Sequence, residues 1–530
     1  MGIGSEKGQY LQYVIHRTAR AVSLLSELTS LKKLICPAYI FPVSTGRRNR
    51  NALRIDQKMK NLVWFRRDLR VEDNSALHAA ASEATDGVVA IFAITPQQWK
   101  QHDDAPCKVQ FWLANVKALS QSLAKLNIPL LILKSDTFAD LPKKIVALAN
   151  KHDCGSLFFN REYEVNEQWR DDQVAATCDT AGITVQRFHD RVIIPPREIS
   201  TKEGRYYCVF TPYRKVWDTK LLDAVEVLPA PKKQKTLAIE PDTVPTNIKG
   251  FKLSADIDTL WPGGEQEAER RLSNFAEHIA QYSTGRDLPA LDGTSTLSGY
   301  LAAGVISPRQ CAAMALEVSG GQINNDHEGA RVWVSELAWR DFYSHVMVGF
   351  PRVSMHRPFK AKTEAIQWRD NQNDLRAWQE GRTGYPMVDA GMRQLNQTGW
   401  MHNRLRMVTA MFLTKHLLID WRLGERYFME NLIDGDLAAN NGGWQWSAST
   451  GTDSVPYFRI FNPFSQSKRF DSQGQYIKRM CPELEEVPAK ALHDGTKLTK
   501  AISEFDVDYP SYVVDYKAGR ERALAAFKAL

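Results

Sequence analysis

The chain has 530 residues, which is enough for two or three domains that each bury a hydrophobic core. Its net charge of +7 comes from residues 1–58, which hold ten Lys or Arg and three Asp or Glu, so the remaining 472 residues are neutral. No uncharged apolar run approaches the roughly 18 residues of a membrane-spanning helix, which argues against an integral membrane protein. The seven cysteines form no CxxC pair and suit reduced thiols, so we expect a cytoplasmic protein without a metal site.

Residues 1–58 differ in composition from the rest, being rich in arginine and poor in acidic residues. The stretch Tyr13–Ile35 can be drawn as a basic amphipathic helix, and in this respect the segment resembles a transit peptide. The alternative is that translation starts at Met59, directly before the first convincing strand. We favour that alternative and treat residues 1–58 as an N-terminal extension.

After this extension, short apolar runs alternate with stretches of helical period. The predicted strands are Leu62–Phe65, Val88–Ile94, Leu130–Leu133 and Leu157–Asn160, and the helices between them include Val109–Leu126 and Leu141–Lys151. This alternation predicts an α/β domain with a parallel sheet. No GxGxxG motif follows the first strand, so we do not expect this domain to bind a dinucleotide in the usual way.

Residues 228–252 are rich in Pro, Lys and Thr and have little periodicity, which is typical of a linker. Helical periodicity dominates after it, in Glu265–Ala280, Gly329–Val348, Asp374–Glu380 and Arg404–Leu418. The sequence therefore predicts an α/β domain at 59–195, an interdomain linker at 196–262 and an all-α domain at 263–530.

The densest group of polar and aromatic residues is Asp434–Trp446, with two carboxylates, two adjacent asparagines, a Gly-Gly pair and two tryptophans. Buried carboxylates and amides need hydrogen-bond partners, which a heteroaromatic cofactor would supply. A solvated loop that returns its tryptophans to the core explains the segment equally well. Similarly, the hydroxyl-rich Gly293–Ser298 indicates either a phosphate site or simple capping of the next helix, and capping is the commoner outcome.

Two further segments combine charge and aromaticity on one helix. Helical spacing places Trp333, Glu336 and Arg340 on one face, and Trp400–Met407 has a similar composition. Such a face is either a buried ion pair in a core or the wall of a pocket. Residues 331–410 carry a net charge of +5 among many aromatic residues, as a nucleic-acid surface would, although composition alone favours an ordinary solvated helix face.

At these motifs the sequence resembles the photolyase/cryptochrome family, over almost all of residues 61–520. Leu62–Arg70 is similar to the opening strand of the family, and Thr383–Asp389, Gly399–Met407 and Asp434–Trp446 are similar to its most specific segments. The resemblance is strongest to the bacterial class I enzymes. It implies a monomeric flavoenzyme that repairs cyclobutane pyrimidine dimers in DNA by light-driven electron transfer from reduced FAD to the flipped lesion.

The resemblance also implies roles around FAD in the helical domain. Asp434 and Asp436 would face the isoalloxazine, with Arg406 paired to Asp434, and Asn440 would lie beside flavin N5. The remaining FAD-site residues would be Tyr282, Thr294, Ser295, Ser298 and Trp333. The electron-transfer chain would comprise Trp368, Trp421 and Trp444, with Trp444 nearest the flavin, although each of these alone indicates only a core tryptophan.

For the lesion, the resemblance implies that Trp339 and Trp446 stack against the flipped dimer and that Glu336 hydrogen-bonds its base edge. Asn403 and Met407 would complete the pocket. The residues expected to hold backbone phosphates are Arg286, Arg340, Arg404 and Gln466. Asn440, Asn403 and Met407 favour dimer repair over (6-4) repair or signalling, and a cryptochrome-like photoreceptor is the alternative.

Two positions depart from the family pattern. Many relatives have arginine within the Gly-Thr-Ser-x-Leu-Ser motif, where this chain has Thr296. Asn166 and Glu167 match a methenyltetrahydrofolate antenna site, but bacterial relatives place a lysine near the pterin tail where this chain has Met355. FAD and a folate antenna are therefore the expected cofactors, and the antenna rests on the weaker match.

Overall fold

The computed structural model describes residues 59–530, so the two alternatives for residues 1–58 lie outside the described residues. A five-stranded sheet lies near the start, and its strand order is β3-β2-β1-β4-β5 with every neighbouring pair parallel. The strands are β1 Lys60–Phe65, β2 Val88–Ile94, β3 Leu130–Lys134, β4 Cys154–Asn160 and β5 Thr184–Phe188. The predicted parallel α/β domain is thereby confirmed.

The central strands are buried on both faces, as expected for a parallel sheet covered by helices. The helices of this part are α1 Ser75–Glu83, α2 Pro96–Gln101, α3 Pro106–Lys125, α4 Leu141–Lys151 and α5 Val165–Thr180. The four predicted strands are confirmed within a few residues. The sequence Thr-Val-Gln-Arg-Phe of β5 escaped prediction because this strand lies at the sheet edge, half-exposed, and lacks a long apolar run.

The region predicted as linker contains regular structure that the composition did not reveal. Helix α6, Phe210–Ala224, lies within it and buries Tyr213, Trp217 and Leu221, which share one face at helical spacing. The next described helix begins only at Ala255 (α7, Ala255–Leu260), and the segment between them is attached to the α/β part. There the Gln234 side chain hydrogen-bonds both backbone groups of Val88.

The rest of the described chain is helical, which confirms the predicted all-α region. Its helices are α8 Glu265–Ala276, α9 Tyr282–Gly285, α10 Ser298–Ala303, α11 Pro308–Val318, α12 Glu328–Gly349, α13 Gln372–Glu380, α14 Pro386–Thr398, α15 Asn403–Met411, α16 Trp421–Met429, α17 Leu437–Ala448, α18 Pro463–Phe470, α19 Gln475–Met480, α20 Ala489–Leu492, α21 Gly495–Glu504 and α22 Tyr516–Lys528. The helix predicted over Arg404–Leu418 is shorter, because a π-helical turn at Phe412–His416 follows α15. Within residues 59–530, no helix is long and apolar enough to cross a membrane.

Two glycines allow the helices of the central site to pack closely. A Cβ at Gly442 of α17 would stand 2.2 Å from the ring of Tyr343 on α12, so these helices touch through this glycine. A Cβ at Gly424 of α16 would likewise stand 2.2 Å from the ring of Trp444. At both points an aromatic ring of one helix lies against the backbone of the next, so α12, α16 and α17 can pack closely only because these two residues are glycines.

Candidate cofactor and nucleic-acid site

Asp434 and Asp436 lie at the start of α17 and are both buried. Arg406 donates to Asp434 Oδ2 at 2.7 Å, the pair that the resemblance implied, while Asp434 Oδ1 is buried without a partner among the described residues. Asp436 accepts from the Ala439 amide as the N-cap of α17 and pairs with Arg191 at 2.5 Å. Burial alone would raise the pKa of Asp436, but Arg191 and a second arginine lower it well below its usual range.

Asn440 lies one turn further along α17, and its amide has a defined orientation. Its Nδ2 donates to the backbone carbonyl of Glu425 at 3.0 Å, which leaves Oδ1 as the free acceptor. The neighbouring Asn441 donates to the buried carboxylate of Glu425 at 2.8 Å, so α16 holds both amides. The two adjacent glycines of α17 have different surroundings. A Cβ at Gly442 would stand 2.2 Å from the Tyr343 ring, whereas a Cβ at Gly443 would meet no atom within 4 Å.

The loop Gly293–Ser298 precedes α10, and Ser298 is the first residue of that helix. Ser298 Oγ accepts from Trp400 Nε1 at 3.2 Å, while Thr294 and Ser295 are half-buried in the loop. Thr296 has a φ of 50°, a left-handed conformation that a β-branched residue rarely adopts. Its hydroxyl accepts a hydrogen bond at 2.9 Å from Arg271 of α8.

An aromatic cluster involves α9, whose last residue, Gly285, packs against Gly293 of this loop. Tyr282 on α9 contacts the ring of Phe275 edge-on at 5.6 Å, and Phe275 lies 5.0 Å from Trp333 of α12. Tyr282 and Trp333, both predicted at the FAD site, are thus brought together through a residue that the sequence did not single out. Their burial fixes the ring planes.

The residues present fit a flavin nucleotide. Asp434 Oδ1 and Trp444 Nε1 are buried polar atoms without a protein partner among the described residues, and such atoms require an explanation. Asn440 Oδ1 adds an acceptor, and the open face of Gly443 leaves room beside it. A planar ring edged with N–H and C=O groups offers partners for donors and acceptors of this kind, whereas no group of three or more His, Cys, Asp or Glu in residues 59–530 is placed to hold a metal ion.

The three tryptophans of the predicted electron-transfer chain belong to one hydrophobic cluster. Trp444 and Trp421 are 2% and 1% exposed, whereas Trp368 is half-buried at the edge of the cluster. Phe428 lies 4.9 Å from Trp444 and two turns along α16 from Trp421, which places both on the same helix face. Trp444 and Trp421 are therefore interior members of the cluster, and Trp368 is the member nearest its edge.

A chain of ion pairs connects three elements beside the predicted lesion pocket. Arg286 Nη1 lies 2.6 Å from Glu336 Oε1 on α12, and Asp287 lies 2.8 Å from Arg404 of α15. Burial raises the pKa of Glu336, and the pairing with Arg286 only partly offsets this. The sequence predicted Arg286, Glu336 and Arg404 as separate site residues, but it did not predict Asp287. The ion pairs themselves could not be predicted because their members are far apart in the sequence.

The predicted stacking residues are partly exposed. Trp339 has one face covered by Phe210 of α6, with ring centroids 3.7 Å apart and planes 10° from parallel, and Trp446 is half-buried. Asn403 and Met407 are one turn apart on α15 and remain accessible to solvent. Phe210 was missed because it lies in the region predicted as linker.

Two predicted phosphate contacts are placed differently from the rest. The guanidinium of Arg340 is turned inward, where it donates to the backbone carbonyls of Arg191 and Leu301. This placement argues against Arg340 as a DNA contact. Helical spacing correctly located the residue near Glu336, but it does not determine the direction of the side chain. Gln466 of α18 is half-buried, and its Oε1 has no partner among the described residues.

Asn166 and Glu167 line a separate cavity of about 160 Å³, whose walls come from both the α/β part and the helical part. His102 lies between them, with Nε2 3.1 Å from Asn166 Nδ2 and Nδ1 3.4 Å from Glu167 Oε1. Burial and the neighbouring glutamates raise the pKa of Glu167 to about 8. Met355 is 53% exposed, while His356 and Arg426 contribute basic groups to the cavity wall.

Comparison with known proteins agrees with the geometry. A family model described as "DNA photolyase" matches residues 61–232, and one described as "FAD binding domain of DNA photolyase" matches residues 333–529. The chain is 44% identical over 471 residues to the deoxyribodipyrimidine photo-lyase of Escherichia coli (strain K12). The aligned region covers 88% of this chain and 98% of that protein.

Two solved structures are similar along most of the chain. A bacterial class III photolyase from Agrobacterium tumefaciens superposes with a TM-score of 0.81 at 33% identity, covering 90% of this chain and 99% of that one. An archaeal photolyase from Sulfolobus tokodaii with two FAD molecules has a TM-score of 0.71 at 30% identity, covering 89% and 100%. The resemblance inferred from the motifs is confirmed: the chain belongs to the DNA photolyase family.

Proposed function

We propose that the chain is a deoxyribodipyrimidine photo-lyase, a carbon–carbon lyase that uses reduced FAD and light to split cyclobutane pyrimidine dimers in DNA. The similarity to the Escherichia coli enzyme supports this activity. The single structural observation that carries it is the ion-pair chain from Glu336 through Arg286 and Asp287 to Arg404, which gathers acid and cations on and around the helix that carries the half-buried Trp339.

In this proposal the protein provides geometry and electrostatics. Bound reduced FAD, excited by light, supplies the electron that splits the cyclobutane ring and receives it back. Trp339 and Trp446 receive the faces of the flipped dimer, and Glu336 hydrogen-bonds its polar edge. Arg286 and Arg404 hold backbone phosphates without reading sequence. Asn440 would offer its amide oxygen to bound flavin, since its nitrogen already donates to the backbone carbonyl of Glu425.

Repair is tested by incubating the chemically reduced protein with an oligonucleotide that contains one thymine dimer, under blue light and in the dark. We expect light-dependent loss of the dimer and restoration of two thymines. If flavin is bound but dimers persist in light, the repair proposal is wrong and the cryptochrome-like photoreceptor becomes the better reading. Rapid reduction of the flavin by NADPH would instead indicate an ordinary flavoenzyme.

We also propose that the cavity around Asn166, Glu167 and His102 binds an antenna pigment, with methenyltetrahydrofolate as the first choice. The carboxyl and amide groups suit a pterin edge, and His356 and Arg426 offer basic groups for an acidic tail. A second FAD is the alternative antenna pigment, because the similar Sulfolobus tokodaii photolyase contains two FAD molecules. Released cofactor decides between them: one FAD per chain with a folate band supports folate, and two FAD per chain contradict it.

The remaining proposals concern assembly and location. We propose that the chain acts as a monomer on dimer-containing DNA in the cytoplasm. Sedimentation with and without a lesion duplex tests the first point, and a mass of one chain per duplex is expected. Two chains per duplex would contradict it. Fractionation of the source cells tests the second, and recovery in an organelle would contradict it.

A further inference from the structure

The loop that is predicted to receive the FAD phosphates has no cation of its own. Residues 293–298 read Gly-Thr-Ser-Thr-Leu-Ser, and α10 after them has only six residues. A diphosphate is an anion, and a partly buried anion is stabilised best by charge-assisted hydrogen bonds, for which the planar guanidinium is well suited. Any cation that pairs with the phosphates therefore comes from another element.

Arg271 of α8 reaches this loop. Its Nη1 donates to Thr296 Oγ1 at 2.9 Å, its Nε to Glu267 at 2.8 Å and its Nη2 to the Leu260 carbonyl at 3.1 Å. The rings of Trp261 and Tyr300 each lie 5.1 Å from the guanidinium carbon. A guanidinium has five N–H donors, so these three bonds and the interaction with the Tyr300 hydroxyl leave one for a ligand.

The charges around Arg271 do not cancel. Glu267 is shared with Arg270, which binds it through two hydrogen bonds of 2.7 Å from the solvent side. One carboxylate thus serves two guanidinium groups, and the trio keeps one positive charge. Arg270 is 57% exposed, whereas Arg271 is 15% exposed and faces the loop. The surplus charge lies where the phosphates are expected.

We infer that Arg271 is a ligand of the FAD diphosphate, brought from α8 to the loop through Thr296. The inference rests on the FAD site of the proposed function and adds a residue to it. It also gives a physical account of the departure at Thr296, since the guanidinium that many relatives carry within the loop is replaced by one from a neighbouring helix. The hydrogen bond to Thr296 holds the loop in its left-handed turn.

The test is a fluorescence titration of the FAD-free protein with FAD and with riboflavin, which lacks phosphate. We expect Arg271→Gln to weaken FAD binding about 10- to 100-fold and to leave riboflavin binding within twofold. Arg205→Gln, at an arginine whose side chain is 77% exposed and pairs with Glu203, is the control and should change neither. The double variant Arg271→Gln with Thr296→Arg should recover most of the lost FAD affinity, because it returns a guanidinium to the loop.

Equal weakening of FAD and riboflavin by Arg271→Gln would show that Arg271 only supports the fold, and unchanged FAD binding would remove it from the site. Either result overturns the inference. If Arg271→Gln does not fold, Arg271→Lys keeps the charge but loses the fork, and about 3- to 10-fold weaker FAD binding with normal riboflavin binding is expected. Failure of the wild-type chain to bind FAD would instead contradict the proposed function.

Discussion

Arg286 Nη1 lies 2.6 Å from Glu336 Oε1, so the acid predicted to contact the lesion is already paired with a cation predicted to contact DNA. The two residues are fifty positions apart and meet because α9 packs on α12. Burial raises the pKa of Glu336, and Arg286 opposes this rise. The charge state of Glu336 in the complex with DNA therefore depends on whether Arg286 keeps this ion pair or leaves it to bind a DNA phosphate.

Glu336→Ala is expected to lower the repair yield per absorbed photon about two- to fourfold, because the split ring loses a hydrogen-bond partner on its polar edge. Lesion-DNA affinity should fall less. The measurement is dimer loss against photon dose with chemically reduced protein. Glu328→Gln, at the exposed start of the same helix, is the control, with its side chain 64% exposed. An unchanged yield in Glu336→Ala would show that Glu336 takes no part in repair.

Arg404 and Arg340 are expected to affect the salt dependence of DNA binding differently. Arg404→Gln should weaken binding of lesion DNA and reduce the slope of log affinity against log salt by about one, since one phosphate contact is lost. Arg340→Gln should leave the slope unchanged, because its guanidinium donates to the Arg191 and Leu301 carbonyls. Binding isotherms at several salt concentrations measure both. A reduced slope in Arg340→Gln would show that this side chain turns outward on DNA.

Sequence periodicity predicted the elements that have a strong apolar signal, and missed those whose burial depends on neighbours. Strand β5 has a polar sequence at the sheet edge, and α6 lies between segments of linker composition. At the site, the Arg406–Asp434 pair was expected from motifs, but His102, Phe210 and Arg271 were not. These three approach from distant helices or loops, so only tertiary packing reveals them.

Trp444→Phe should block photoreduction of oxidised flavin while repair by chemically reduced protein stays nearly intact. The reason is that Trp444 is a buried member of the predicted electron-transfer chain, in which Trp368 is half-buried, and phenylalanine is a much poorer electron donor. Flavin absorbance during illumination with an external reductant measures the first effect. Trp217→Phe, a fully buried tryptophan on α6, serves as control. Equal loss of photoreduction and repair would contradict the assigned role of Trp444.

Glu167→Gln should change the pH dependence of stability. Because burial and the neighbouring glutamates raise the pKa of Glu167 from 4.5 to about 8, the folded chain keeps a proton that the unfolded chain releases. The folded state therefore loses stability as pH rises between these two values. The neutral amide removes this loss, so the Tm of the variant should exceed that of the wild type by about 1–3 °C at pH 8 and by less at pH 5. Asp179→Asn, exposed on the same helix, should shift the two Tm values equally, and a Glu167→Gln profile parallel to wild type would show that Glu167 is ionised in the folded protein.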